Sequence, residues 1–371
     1  MAVQFNKNVE CINISGIRKM FEGAGPGSIN MGLGQPDFDT PQHIKDAAIR
    51  AINEGFTAYT VNMGIPELRE ALSKKFRAEN GIDYTPAEIM VTSGASEALH
   101  IALQALCGKG DEVLVPDPGF VAYAALASLA NAKPVGVPLG SKLKYDPEVL
   151  KGMVNKKTKA IVLNSPSNPT GTVQTKDEVR AIAEIAEDRG VTLISDEVYE
   201  HFIYDGEHVS PAQFSDNVIT INASSKTYAM TGWRIGYVAA RPEYTEQMLK
   251  VHQYVQACAC SISQRASLAA LTGPQDSVAM MRDEFQKRRD YLVTELLGMG
   301  LECVRPQGAF YAFPKVGDEA RVVGDLIKKG VIATPGTAFG ACGKGYMRLA
   351  YANSMANIEK AVAIMKTVKM G

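Results

Sequence analysis

Between residues 88 and 240 short apolar runs of strand type alternate with helical patterns. The runs include Ile89-Met-Val-Thr92, Glu112-Val-Leu-Val-Pro116, Lys159-Ala-Ile-Val-Leu163, Val191-Thr-Leu-Ile194 and Val218-Ile-Thr-Ile221. Such alternation implies an α/β domain on a mostly parallel sheet. Sheets of that kind meet ligands at the loops beyond the carboxyl ends of their strands. The polar residues that follow each run are therefore the first candidates for chemistry.

The stretch Ala223-Ser-Ser-Lys-Thr-Tyr-Ala-Met-Thr-Gly-Trp-Arg-Ile-Gly-Tyr237 follows one run. Lys226 lies there among small and hydroxylated residues, placed for Schiff-base chemistry once its pKa is lowered. Arg234, beside Gly232 and Gly236, suits a guanidinium fork on a phosphate. A lysine bound to a carbonyl beside a phosphate clamp suggests pyridoxal phosphate, whose ring nitrogen needs an acidic partner. Asp196, after Val191-Thr-Leu-Ile194, can be that partner, because a carboxylate beyond an apolar strand demands a compensating cation.

The remaining candidates are weaker alone, and each has a plainer reading beside its functional one. Gly32 and Gly34 let backbone approach a ligand closely, or form a turn-rich link. The Gly94-Ala-Ser96 turn opens a helix whose N–H groups and dipole favour an anion. Phe120 is core or a plate for a flat ring. Asn168 sits in a loop stiffened by two prolines, which is a ligand loop or a turn. Tyr59 is packing or function. Arg348, within the apolar run Gly345–Tyr351, wants a bidentate anion from a ligand or from an internal salt bridge.

The motifs at 223–237, 159–171 and 191–199, in that company, resemble the fold type I, class I/II pyridoxal-phosphate aminotransferases, and most of all the aspartate and aromatic branch. The resemblance runs from about residue 13 to the C-terminus. It implies a three-layer large domain with a mostly parallel sheet over 41–274, and a smaller α/β domain from both chain ends, 13–40 plus 275–371. Residues 1–12 form an arm. It further implies that Lys226 carries the cofactor and shuttles a proton, and that Asp196 protonates the ring nitrogen. Asn168 and Tyr199 would bond the phenolic oxygen, and Phe120 would stack on the ring. Ala95, Ser96, Ser225 and Arg234 would hold the phosphate together with Tyr59 from the other subunit of a homodimer with shared sites. Gly34, Asn168 and Arg348 would hold the substrate carboxylate. One departure is Ala223, where many relatives carry a phosphate-binding serine; Ser225 is the expected substitute.

The expected reaction is ping-pong transamination between an L-amino acid and 2-oxoglutarate, with aspartate as donor and aromatic amino acids close behind. The alternatives are a β-lyase or carbon–carbon synthase on the same scaffold, or a non-catalytic ligand-binding module. A nicotinamide dehydrogenase fits less well, because no Gly-x-Gly-x-x-Gly opens a helix. Arg18 lies near the proposed substrate end and otherwise faces solvent.

With 371 residues the chain has room for these two domains, and a net charge of −1 gives no footprint for nucleic acid. The scattered cysteines suggest neither a disulfide framework nor a metal site. Without a secretory leader or a bilayer-length apolar run, a cytoplasmic enzyme is the expectation. Helices are expected at 15–22, from Thr40 as N-cap with Pro41 first and with Ile44, Ala47, Ala48, Ala51 and Ile52 on its apolar face, at 66–77, after a Thr175/Glu178 capping box, across 242–296, and at 356–368. Strands are expected at 307–313 and 345–351.

Overall fold

The structure is a computed structural model that describes residues 3–12, 25 and 27–370. The helix expected at 15–22, and with it Arg18, lies outside the described residues. Within the expected arm, Lys7–Glu10 form one helical turn, capped by the Asn6 side chain, which accepts from the Asn8 N–H at 2.9 Å.

After β1 (Ile29–Asn30), seven strands build one sheet: β2 (Ile89–Thr92), β3 (Glu112–Asp117), β4 (Lys133–Pro138), β5 (Thr158–Asn164), β6 (Thr192–Asp196), β7 (Val218–Ala223) and β8 (Gly236–Ala239). Their order is β2-β8-β7-β6-β5-β3-β4. Only β8 runs against its neighbours β2 and β7; the remaining pairs are parallel. The two-residue period of a strand sends alternate side chains to opposite faces. Val113 and Val115 thus pack with Ala98, Ile101 and Ala102 of helix Ala95–Leu106, whereas Leu114 packs with Ile182 and Ala186 of helix Lys176–Asp188. Helices therefore cover both faces, which is why the strands read as continuous apolar runs.

Register decides which residues meet at the carboxyl edge. Asn164 pairs with Asp196, and Asp196 with Ile221; Ala223 pairs with Gly236, which also faces Thr92. The ends of four strands, three of them polar, thus arrive at one edge.

The chain's two ends share a second core. β1 pairs in parallel with β10 (Val331–Ile332), following β9 (Tyr311–Ala312) in the chain. β11 (Thr334–Pro335), β12 (Met347–Ala350) and β9 form an antiparallel sheet in the order β11-β12-β9. Phe285 and Leu292 of helix Asp276–Gly298, Ile358 and Val362 of helix Met355–Met365, and Met31 pack with this sheet. The capping box is present: Thr175 accepts from the Glu178 N–H, while the Glu178 carboxylate accepts from the Thr175 N–H. No helix among the described residues is long and apolar enough to cross a membrane.

Several expectations are corrected. Thr40 does not cap the following helix: its hydroxyl donates to the Ala229 carbonyl at 2.8 Å and accepts from Trp233 Nε1 at 3.0 Å, a long-range use of the same group. Pro41 then precedes helix Gln42–Asn53 as its cap residue and makes no side-chain bond. Ile52 lies on that helix's exposed side, 53% accessible, whereas Ile44, Ala47, Ala48 and Ala51 are buried. Helix Pro66–Lys75 gives way to a π-helical turn, Phe76–Asn80, that ends at Gly81 with φ +66°. The strand expected over 307–313 narrows to Tyr311–Ala312. Ala309 turns into the left-handed region, φ +55°, and the Gln307 and Gly308 N–H groups bond the Gly171 carbonyl instead of a ladder partner.

Candidate active site

A cavity of about 260 Å³ opens at the carboxyl edge of the large sheet. Asp196 ends β6 there and is 4% exposed. Its Oδ2 accepts from the Tyr123 hydroxyl at 2.7 Å, and its main-chain carbonyl accepts from Asn164 Nδ2 at 2.9 Å. Burial pushes the Asp196 carboxyl up to about 6, although the Tyr123 bond and the Val198 N–H oppose the rise. No cation among the described residues forms a salt bridge with it, so the internal ion-pair reading has no partner here.

Lys226 follows β7 on the single turn Ser224–Thr227. Its Nζ donates to the Gly34 carbonyl at 2.8 Å and stands 6.0 Å from the Tyr199 ring centroid. Burial first, then the positive charges of Arg348 and Arg234, lower its ammonium to about 8, with Asp196 pulling the other way. The amine is thus held nearer its nucleophilic form than a surface lysine.

One end of the cavity is built for an anion. Helix Ala95–Leu106 begins there, and the first N–H groups of a helix have no intrahelical partner. Gly94, at φ +82°, allows the Arg234 guanidinium to close over this end: a Cβ on Gly94 would stand 2.6 Å from Arg234 Nη2. Arg234 is itself left-handed, φ +51°, unusual for a residue with a Cβ. Its guanidinium is held by the Thr231 and Ser93 carbonyls at 3.1 and 3.3 Å. Ala95, Ser96, Ser225 and Thr231 also line the cavity, as does the methyl of Ala223.

The other end holds Arg348, 1% exposed on β12. Its Nη1 donates to Asn168 Oδ1 at 2.8 Å and its Nη2 to the Gly32 carbonyl at 2.5 Å. The guanidinium carbon lies over the rings of Tyr311 and Phe339, 4.6 and 4.7 Å from their centroids. Its Nε is buried without a partner, and no carboxylate among the described residues pairs with it. A buried guanidinium held only by neutral acceptors, with its Nε–H unpartnered, suits a carboxylate brought by a ligand.

The structure brings Gly34, Ala95, Ser96, Phe120, Asn168, Asp196, Tyr199, Ser225, Lys226, Arg234 and Arg348 to this one cavity. It does not bring Tyr59, which is 89% exposed and away from its own chain's cavity. Phe120 fits both of its readings: it packs against the large-sheet core and lines the cavity, edge-on to Tyr123. Sequence reasoning missed Tyr123, Asn164 and Tyr311. A signal existed for the first two: Tyr123 stands three residues after Phe120 at a helix start, and Asn164 ends its strand as Asp196 ends the next. Tyr311 lies in an aromatic run that reads as core.

The turn after Asp196 is itself anchored. Glu200 accepts from Lys75, from Asn80 Nδ2 at 2.7 Å and from Asn222 Nδ2 at 2.6 Å. Burial alone would raise its carboxyl, yet Lys75, His201 and His208 hold it well below the ordinary carboxylate range.

The family described as "Aminotransferase class I and II" matches residues 26–365. A protein of Methanocaldococcus jannaschii named "Probable aspartate aminotransferase" is 47% identical, over 96% of this chain and 98% of its own. The "Aromatic-amino-acid aminotransferase 2" of Thermococcus litoralis is 40% identical over 97% of each. The solved structure of the Thermus thermophilus aspartate aminotransferase with maleate superposes with a TM-score of 0.94 at 38% identity, covering 99% of this chain and 100% of that one.

Proposed function

The chain belongs to the class I and II aminotransferases, and from that membership we propose that it moves the amino group of L-aspartate to 2-oxoglutarate on pyridoxal phosphate, in ping-pong fashion. Its standing as a pyridoxal-phosphate-dependent aminotransferase follows from the family; the donor, the acceptor and the order of steps are the proposal. The observation that carries it is the convergence of Lys226 Nζ, the Asp196 carboxyl and the Arg348 guanidinium on one cavity.

The donor set fits the cofactor. The helix start at Ala95 and Ser96, with Arg234 and Ser225, matches a phosphate; Asp196 matches a ring cation; Lys226 matches an aldehyde; Tyr199 and Asn168 match a phenolic oxygen. When bound, pyridoxal phosphate supplies an aldehyde for the amino group and a ring that accepts the electrons left at Cα.

The chain's own residues do the rest. Arg348, packed against the Tyr311 and Phe339 rings, fixes the substrate α-carboxylate, helped by Asn168 and the Gly34 backbone. Lys226 Nζ would serve as the base that moves the proton from the substrate's Cα towards the bound cofactor, a task suited to an amine whose ammonium is lowered to about 8. Asp196 would pair as a carboxylate with a protonated ring nitrogen, and Tyr123 holds one of its oxygens in place. Phe120 excludes water from one face of the ring. We further propose a homodimer in which Tyr59, turned away from its own cavity, completes the partner's phosphate site.

Aspartate as donor is supported by relatives named aspartate aminotransferase. A second reading, an aromatic donor, is favoured by the aromatic lining of Phe120, Tyr123, Tyr199 and Tyr311 and by the aromatic relative of Thermococcus litoralis. The test is a panel of amino donors given singly to the cofactor-loaded protein, each followed by loss of the cofactor's visible absorbance and by oxo-acid release. Aspartate and glutamate are expected to react fastest. Faster reaction of phenylalanine and tyrosine would transfer the proposal to the second reading, and release of pyruvate without an acceptor would make the protein a lyase.

A further inference from the structure

Tyr311 touches three groups that the proposed reaction uses. Its hydroxyl stands 2.7 Å from that of Tyr199. Its ring lies 4.6 Å from the Arg348 guanidinium carbon. Its Oη sits so close to Gly34 that a Cβ there would stand 1.9 Å away. Tyr311 is 1% exposed, pairs with Ala350 across β9 and β12, and meets the Tyr199 ring edge-on at 5.7 Å. Ring and hydroxyl are both fixed by packing.

A phenol has one proton to donate, so of two phenols bonded to each other only one can donate within the pair. If Tyr199 spends its proton on Tyr311, it has none for a ligand. If Tyr311 donates, the Tyr199 proton is free to point into the cavity, and Tyr199 becomes a stronger donor because it also accepts. We propose that Tyr311 is a positioning residue of the aminotransferase site: it donates to Tyr199 Oη, so directing and strengthening the Tyr199 proton towards an acidic oxygen of the ligand, while its ring fixes the plane of Arg348. This inference rests on the reading that Tyr199 faces the cofactor's phenolic oxygen. It assigns two separable tasks to one side chain, one to the hydroxyl and one to the ring.

Tyr311→Phe removes the hydroxyl and keeps the ring. In the cofactor-loaded protein, the pH midpoint of the cofactor's visible band should rise by roughly half a unit to one unit, since the ionised oxygen loses part of its donor. KM for the amino acid should stay within about twofold while kcat falls. Tyr311→Leu should in addition raise KM about tenfold, through loss of the ring against Arg348. Tyr199→Phe should shift the midpoint by itself, and Tyr311→Phe added to it should shift nothing more. An unchanged midpoint in Tyr311→Phe, or an equal shift with and without Tyr199, would overturn the inference alone. A wild-type protein whose loaded form shows no titrating band would overturn the underlying reading, and this inference with it.

Discussion

At the scale of single residues, burial gives the proposed nucleophile Lys226 an amine that loses its proton more readily than a surface lysine. The sign of the Lys226 shift can be followed directly. Burial, Arg348 and Arg234 disfavour the ammonium, so the free amine appears at lower pH, with a midpoint of about 8 instead of 10.5. At pH 8 about half of Lys226 is then free base, against roughly 0.3% for an ordinary lysine. Uptake of pyridoxal phosphate by the cofactor-free protein should therefore accelerate about tenfold between pH 6 and 7 and level off above pH 9. Stopped-flow absorbance measures this, with Lys226→Ala as the variant that lacks the covalent phase. A rise that continues to pH 10 would mean that Lys226 is solvated like a surface lysine. Lys226, Asp196 and Arg348 were legible in the sequence because a charge beside an apolar run demands an explanation. Tyr311 was not, because a tyrosine in an aromatic run is ordinarily core, and only the fold reveals where its hydroxyl points.

At the scale of elements, strand ends and the turns behind them set the site. The runs ending at Asn164, Asp196 and Ala223 were readable from period and composition, but the register that aligns Asn164 with Asp196 was not. Thr40 shows a limit of local signals: the sequence Thr-Pro before a helical pattern reads as a cap, yet a contact with Ala229, distant in the chain, claims the hydroxyl. The turn 197–200 depends on contacts of the same kind. Lys75, where helix gives way to the π-helical turn, pairs with Glu200, and both side chains are 5% exposed. The Glu200 pKa is depressed on folding, so its contribution is present above the unfolded value, about 4.3, and is lost as pH falls below it. Lys75→Met leaves a buried carboxylate without its main partner, which should destabilise the protein by about 3–5 kcal/mol at pH 7. With burial then dominant, the variant should gain stability as pH falls from 7 towards 5, a trend the wild type lacks at this site. Urea unfolding across that range measures it, and Glu200→Gln added to Lys75→Met should restore much of the loss. Equal stability of Lys75→Met and wild type at pH 7 would show that His201 and His208 carry the carboxylate unaided.

At the scale of the whole molecule, both chain ends reach the cavity. Gly34 follows β1, which is held by β10, about 300 residues along the chain, and Arg348 arrives on β12. No local pattern announces such pairing; in the sequence it was visible only through resemblance. The division into 41–274 and 13–40 with 275–371 belongs to the same proposal. Tyr59 extends the argument beyond one chain. It is 89% exposed, as is its neighbour Val61 at 57%, and Tyr254 and Val255 are exposed at 87% and 52%. Asn62 Nδ2 ties the Tyr59 loop to the Ala257 carbonyl just beyond that second pair, so the exposed groups belong to connected segments. Apolar groups left in water by a folded chain suit burial by a second copy, and the cavity's anion end is lined on its own side without Tyr59. If each Tyr59 completes the partner's site, inactive Tyr59→Ala and Lys226→Ala proteins should complement each other when mixed. Random reassortment would make about half of the dimers mixed, each with one site carrying both lesions and one site intact. Activity should then return to about a quarter of the wild-type level. Size-exclusion chromatography with differently tagged subunits establishes that mixed dimers form. Mixed dimers with no regained activity would place the two lesions in separate sites, and Tyr59 would then act within its own subunit.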